Sequence, residues 1–425
     1  MITAILFVLF MAMGMPIVFI LALSTVAFIA ESGVWPLFDT VPLQLYGSLD
    51  KSGYLAIPMY MLVGELMNRG GITTRLIGMA DLFVGRFNGG LAYVNLLTNA
   101  FASSILGSAT AQIAVMSRTI VPAMNERGYR PGFSTALTIA AGMLGPVIPP
   151  SMLMIIYGVV AYQSVAALFI AGVMPGLLLT LGFALTIWGI GLFAPYADQG
   201  ARLEGRSAFK AFLSGLLPSL IPLVIILGVI TGATTPTESG ATAAVLALVL
   251  GLFVYKAFRL RDLPEILLGV GMNTAFIVSL IGLATVFGWV LSFESVPDIM
   301  AETIEAWAGS PAMFLLLVNL LILALGMILD GIGVMIVIVP ILLPVAERFG
   351  IDPIHFGVVV AISTLLGLVT PPVGPGLFVA MEATGLKMRQ ILPPLLPFLA
   401  TMLICLVVIN VFPVLSTWLP AILGL

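Results

Sequence analysis

The chain has 425 residues, of which 61% are hydrophobic and 8% charged, with a formal net charge of −3 and a mean hydropathy of +1.21. A soluble domain cannot hide that much apolar surface, so the composition implies a polytopic membrane protein of ten or more segments at roughly 20 apolar residues each. A single cysteine (Cys405) and a single histidine (His355) exclude a disulfide framework and a Cys/His zinc cluster, and no basic face exists for nucleic acid.

Ile2 to Ala30 is too long an apolar run for a signal-peptide core and lacks a basic leader, so it reads as the first spanning helix. Residues 31–50 hold Glu31, Asp39 and Asp50 and no base. A short span is expected over 54–68. The stretch 72–87 carries Arg75, Asp81 and Arg86 among apolar residues, too much charge to cross, and should lie along the cytoplasmic interface as an amphipathic arm. Residues 90–122 are apolar but interrupted at Ser103-Ser104-Ile105-Leu106-Gly107-Ser108. Spans follow at 133–163, 166–193, 212–231, 238–255 and 266–291. Residues 312–345 are interrupted at Asp330-Gly331-Ile332-Gly333, and spans at 354–383 and 391–420 close the chain. Arms of about 15 residues are short for a ~30 Å core. Both interrupted stretches therefore read as re-entrant hairpins, whose tips survive only when buried in protein or facing a water-filled cavity.

The helix breakers repeat. Pro122, Gly128, Pro131, Gly145, Pro149, Pro150 and Pro175 recur as Pro344, Gly350, Pro353, Gly367, Pro371, Pro372 and Pro397, all at one offset of 222 residues. Matching breaker-rich segments in two halves of a membrane protein point to a transporter with repeated halves and a midplane site.

Basic residues give the orientation. Arg69, Arg75 and Arg86, then Arg127 and Arg130, then Arg202, Arg206 and Lys210, then Lys256, Arg259 and Arg261, then Lys387 and Arg389 mark five cytoplasmic connections. Residues 294–305 (Glu294, Asp298, Glu302, Glu305), like 31–50, hold acids alone. Alternate threading opens the first hairpin to the cytoplasm and the second to the outside, an inverted repeat. The expected fold is an all-α polytopic membrane protein with two re-entrant hairpins and two broken helices. Its division is scaffold and arm over 1–89, a first transport half over 90–165, central scaffold over 166–311, a second transport half over 312–385 and a C-terminal helix over 386–425.

Paired prolines break the helix after each hairpin, in Gly145-Pro146-Val147-Ile148-Pro149-Pro150-Ser151 and in Gly367-Leu368-Val369-Thr370-Pro371-Pro372-Val373-Gly374-Pro375. Each proline removes a donor and displaces a carbonyl four residues back. Freed carbonyls, with hydroxyls such as Ser103, Ser108 and Thr370, are hard oxygen ligands for a desolvated Na+. The N-termini of the resuming half-helices suit an anion. Asp330, the only acid inside the second hairpin, reads as lining an ion or substrate path or as a helix cap, roles that can coexist. Glu65 is an interior or interfacial contact, His355 an interface residue, and Arg118 a side chain that snorkels to the cytoplasmic face. Thr235-Pro236-Thr237-Glu238 is a helix start with a capping box. Asn99, Gln112, Asn273 and Asn319 are candidates for joining helices.

SSILGSATA (103–111), GPVIPPS (145–151), TPTESGATAA (235–244), DGIGVMIVIVPILLP (330–344) and LVTPPVGPGLF (368–378) together resemble the large membrane subunit of tripartite ATP-independent periplasmic (TRAP) transporters, over essentially the whole chain. The resemblance implies a small four-helix membrane subunit and a soluble periplasmic binding protein as partners, and a bacterial inner-membrane location. It also implies Na+ coupling and an elevator motion of a hairpin-bearing domain. By similarity, Na+ would lie where Ser103, Ser104, Gly107 and Ser108 meet Gly145, Ile148 and Pro149, and where Asp330 and Gly331 meet Gly367, Thr370 and Val373. A small organic acid is expected against Ser108, Ser151, Asp330, Thr370 and Gly374. The small subunit is expected to be a separate chain. A stand-alone dicarboxylate or gluconate symporter is the competing reading. An intramembrane enzyme or an ATP-driven pump lacks its required motifs.

Overall fold

The computed structural model describes residues 2–50, 52–194, 196, 205–293, 295, 299, 302, 304 and 308–425, and among them it is helical without strands. Arg202, Glu294, Asp298 and Glu305 from the charge count lie outside the described residues, as do the side chains of Arg206 and Lys210.

The apolar opening run is not one spanning helix. It folds back as α1 (Ile2–Ala12) and α2 (Ile17–Ser32), packed together across a turn at Gly14, whose φ of +71° favours glycine. Pro16 cannot continue an upstream helix. At the far end the Glu31 carboxylate accepts the N–H groups of Ile2 and Thr3 at 3.0 and 2.9 Å, satisfying donors that α1 leaves free. Helix α3 (Leu37–Leu49) occupies much of the acidic connection and packs Leu37 with Ile29 and Val290. The short α4 (Ala56–Arg69) leads into α5 (Ile72–Val84), the charged arm, which buries Ile72, Leu76 and Ala80 on one face.

Helices α6 (Gly90–Leu106) and α7 (Ala109–Glu126) form the first hairpin. The first broken helix is α8 (Pro131–Gly142) and α9 (Met152–Val160), followed by the long α10 (Val165–Phe193). Next come α11 (Gly205–Ile230), α12 (Pro236–Val249) and α13 (Leu263–Phe293). Helix α12 starts with the expected box: Thr235 Oγ1 accepts from the Glu238 N–H at 3.3 Å, and Glu238 accepts from the Thr235 N–H at 2.8 Å. The second hairpin is α14 (Pro311–Gly326) with α15 (Gly331–Arg348), and the second broken helix is α16 (Pro353–Leu368) with α17 (Pro375–Thr384). The closing run 391–420 is likewise two helices, α18 (Met388–Val411) and α19 (Val414–Ile422), parted at Phe412-Pro413 because proline has no N–H to carry the ladder on. Six helices among the described residues are long and apolar enough to cross a membrane; the breaks shorten the others.

The breaker echo is an echo of whole elements. Both ends of α7 and α15 differ by 222 residues, and α8 and α16 both begin at prolines with that offset. Packing is reciprocal: α7 lies on α17, and α15 lies on α9. Each half thus lends its returning hairpin arm to the other half's resumed helix. Within each half, small and polar residues join neighbouring helices, as expected where lipid removes any hydrophobic drive between helices. A Cβ on Gly367 would stand 2.8 Å from the Gly326 Cα, so α14 and α16 touch backbone to backbone. Asn319 accepts from the Ser363 hydroxyl at 2.6 Å, and Gln112 Nε2 donates to the Asn99 carbonyl and Oδ1 at 2.8 and 2.9 Å. Asn99 donates in turn to Asn95 Oδ1 at 2.7 Å. Around this body, α4 packs on α12, α5 on α11, and α13 on α2, α3 and α4.

Candidate functional site

At the first tip Gly107 ends α6 with φ +57°, and Ser108 opens α7 in extended backbone. Ser103 is buried one turn earlier, its hydroxyl donating to the Ala100 carbonyl at 2.5 Å. The side chain of Ser104 lies outside the described residues. In the adjoining break, the carbonyls of Gly145, Ile148 and Pro149 accept no hydrogen bond from any described residue. That is the free oxygen supply the proline doublet implies. Ser151 caps α9, accepting from the Met154 N–H at 3.3 Å and donating to the Pro146 carbonyl. A Cβ on Gly145 would stand 2.5 Å from Gln112 Oε1, so the Gln112 amide would have to shift.

The second tip uses Asp330 as the cap of α15, its Oδ1 accepting from the Gly333 N–H at 3.2 Å while the residue stays exposed. The Gly374 N–H donates to the Met327 carbonyl at 3.0 Å and ties the second break to this tip. Thr370 donates its N–H to Gly367 at 3.0 Å and its hydroxyl to Leu366 at 2.5 Å. The carbonyls of Thr370 and Val373 accept nothing among the described residues.

The two tips meet. Gly107 and Ser108 of the first face Asp330 and Gly331 of the second across a cavity of about 50 Å3, with Met152 and Leu153 of α9 between them. Ser103, Gly145, Ile148, Pro149, Ser151, Gly367, Thr370, Val373 and Gly374 are not among the residues that line this cavity. Beside this gap is a larger cavity of about 510 Å3, bounded by the first tip and α9 on one side and by α4 and α13 on the other. Ser108 lines both.

Several side chains on the larger cavity escape sequence reasoning. Arg69, counted only as a loop charge, donates Nε to Glu65 and Nη2 to Glu265, both at 2.8 Å. Hydrogen bonds to Glu265 first and Glu65 second raise its pKa further above the usual range. Glu65 to Arg69 is an i, i+4 pair legible in the sequence; Glu265 lies 196 residues away and is not. Asn273 has no side-chain hydrogen bond among the described residues and stands exposed on the cavity wall. His355 is buried, with Nδ1 2.7 Å from the Ser416 hydroxyl of α19. Arg118 is exposed on α7.

The family model for the "Tripartite ATP-independent periplasmic transporter, DctM component" matches residues 4–415. The chain belongs to that family. It is 34% identical to the sialic acid TRAP transporter large permease protein SiaM of Vibrio cholerae, over 96% of this chain and 95% of that one. Against the C4-dicarboxylate TRAP transporter large permease protein DctM of Rhodobacter capsulatus identity is also 34%, over 98% and 97% of the two chains. Its fold resembles the crystal structure of the Alcanivorax borkumensis YdaH transporter, with a TM-score of 0.64 at 17% identity, covering 90% of this chain and 89% of that one. This TRAP large permease is a multi-pass membrane protein of a transport system.

Proposed function

We propose that this permease takes up a small organic acid across the bacterial inner membrane, driven by Na+ and handed its cargo by a periplasmic binding protein, with a small four-helix membrane subunit as partner. The observation that carries the reading is the meeting of Ser108 and Asp330 at one cavity, with unpaired carbonyls at both proline breaks. Desolvated Na+ needs several hard oxygens, and no cluster of His, Cys, Asp and Glu among the described residues offers a transition-metal site instead. In this reading the hairpins are re-entrant, one Na+ lies with the oxygens of Ser103, Ser108, Gly145, Ile148 and Pro149, and another with those of Asp330, Thr370 and Val373. The acid binds beside them against Ser108 and the N-terminus of α9. The larger cavity runs from the tips to Arg69 and Glu265, which adjoin basic connections, so this conformer opens to the cytoplasm.

Membership of the TRAP family favours a binding-protein-dependent system over a stand-alone symporter. The names of relatives point to carboxylates, sialic acid and C4-dicarboxylates among them. The test is uptake of radiolabelled succinate and N-acetylneuraminate into proteoliposomes holding the permease and its partners. Uptake of one acid should follow an inward Na+ gradient. Equal uptake on a proton gradient with Na+ absent would overturn Na+ coupling.

A further inference from the structure

Among the described residues, Arg69 is the only cationic side chain on the wall of the 510 Å3 cavity. It faces the cavity from the last turn of α4, and two carboxylates already occupy its fork. One belongs to its own helix. The other, Glu265, comes from the first turn of α13 and is the more exposed partner, at 72% of its side-chain surface against 36% for Glu65. Beside Arg69, the side-chain amides of Asn68 and Asn273 line the same wall and have no partner among the described residues. Opposite stands the Ser108 hydroxyl.

We infer that Arg69 is the static wall's binding residue for the cargo carboxylate, and that the incoming carboxylate takes the place of Glu265. The guanidinium fork matches a carboxylate through two parallel N–H donors. A pair as exposed as Arg69 with Glu265 is held by little net free energy, so Glu265 is readily replaced by a ligand that also gains contacts elsewhere. Asn68 and Asn273 supply amide donors and acceptors for further oxygens of a hydroxy acid or a second carboxylate. Glu65 stays in place through the exchange and keeps the guanidinium aimed at the cavity. The Glu265 carboxylate thus holds the fork until cargo arrives and closes on it again when cargo leaves.

This inference rests on the reading that the chain carries an organic acid, and the two fail separately. The full-length permease with its membrane partner, in lipid nanodiscs, is titrated with succinate, with N-acetylneuraminate and with neutral succinamide, and thermal stabilisation is read as a function of concentration. A carboxylate, and not succinamide, should stabilise the wild type. Glu265→Gln should lower the midpoint concentration several-fold, because the competing carboxylate is gone. Arg69→Gln should raise it by about tenfold to a hundredfold, the loss of a charge-assisted contact, and Arg69→Lys should recover only part of that. The double variant Arg69→Gln/Glu265→Gln removes both halves of the pair; it should match Arg69→Gln in midpoint whatever its own melting temperature. No stabilisation by either acid, an unchanged midpoint in Arg69→Gln, or a Glu265→Gln variant no tighter than wild type would each overturn the inference. Sodium-driven uptake by an Arg69→Gln permease at the wild-type rate would do so while leaving the transport reading intact.

Discussion

Ser108 and Asp330 stand 222 residues apart in the sequence, open the equivalent helices α7 and α15 of the two halves, and line the same cavity. Repetition has placed two equivalent caps face to face and given them different side chains. Asp330 spends one carboxylate oxygen on its cap, accepting from Gly333, whereas the Ser108 hydroxyl lies 3.2 Å from that of Thr110 and makes no cap. A single formal charge is thus offered at a cavity otherwise lined by hydroxyls, glycines and apolar side chains.

Asp330→Asn should therefore impair transport more than folding. Asparagine keeps a cap oxygen for Gly333 but removes the charge, weakening cation or acid binding by roughly 1–3 kcal/mol. A purified variant with a melting temperature near wild type and little uptake is the expected result. Wild-type rate and Na+ dependence would reduce Asp330 to a cap.

Gly367→Ala should destabilise the second half. The new Cβ would meet the Gly326 Cα and the Leu323 carbonyl at 2.8 Å, both backbone atoms that cannot swing aside. Overpacking of this kind costs about 1–3 kcal/mol. Gly189→Ala in α10 is the control: nothing lies within 4 Å of its added Cβ. It should be neutral or gain up to about 1 kcal/mol from helix propensity. Thermal unfolding in nanodiscs compares the two, and equal melting temperatures would show that α14 moves aside freely.

Gln112→Leu should loosen the first hairpin. It deletes both bonds from Gln112 Nε2 to Asn99, the tie between α6 and α7, and leaves Asn99 Oδ1 without that donor. Side-chain bonds between membrane helices contribute roughly 0.6–2 kcal/mol. A lowered melting temperature together with faster proteolysis near residues 103–108 is expected; unchanged proteolysis would assign the stability loss elsewhere.

Much of this architecture was legible because its breakers are chemically distinct from everything around them. The proline doublets, Gly107, Asp330 and the capping box at Thr235 carry their backbone geometry in their residue type. The turn at residues 13–16 and the break at Phe412-Pro413 were not legible, because one proline inside an apolar run reads equally as a kink in a continuous span. Helix α3 was hidden by Asp39 and Asp50, whose charge suggested a solvated connection. Pairings over long separations left no local trace: Arg69 with Glu265, and His355 with Ser416, bring together residues whose neighbours along the chain say nothing of each other. The residue type of Asn273 suits a helix-joining amide, but α13 presents it to the cavity.

The elevator motion that the family resemblance implies would carry both hairpin tips past α4, α11, α12 and α13. Ser108→Cys in a Cys405→Ser background tests it most directly, since Cys405 is the only native cysteine and is buried. Labelling by membrane-impermeant thiol reagents, added to one side at a time, should switch between cytoplasmic and periplasmic access as Na+ and the transported acid are supplied. Access confined to one side under every condition that supports uptake would contradict the moving site and leave a fixed site with gates.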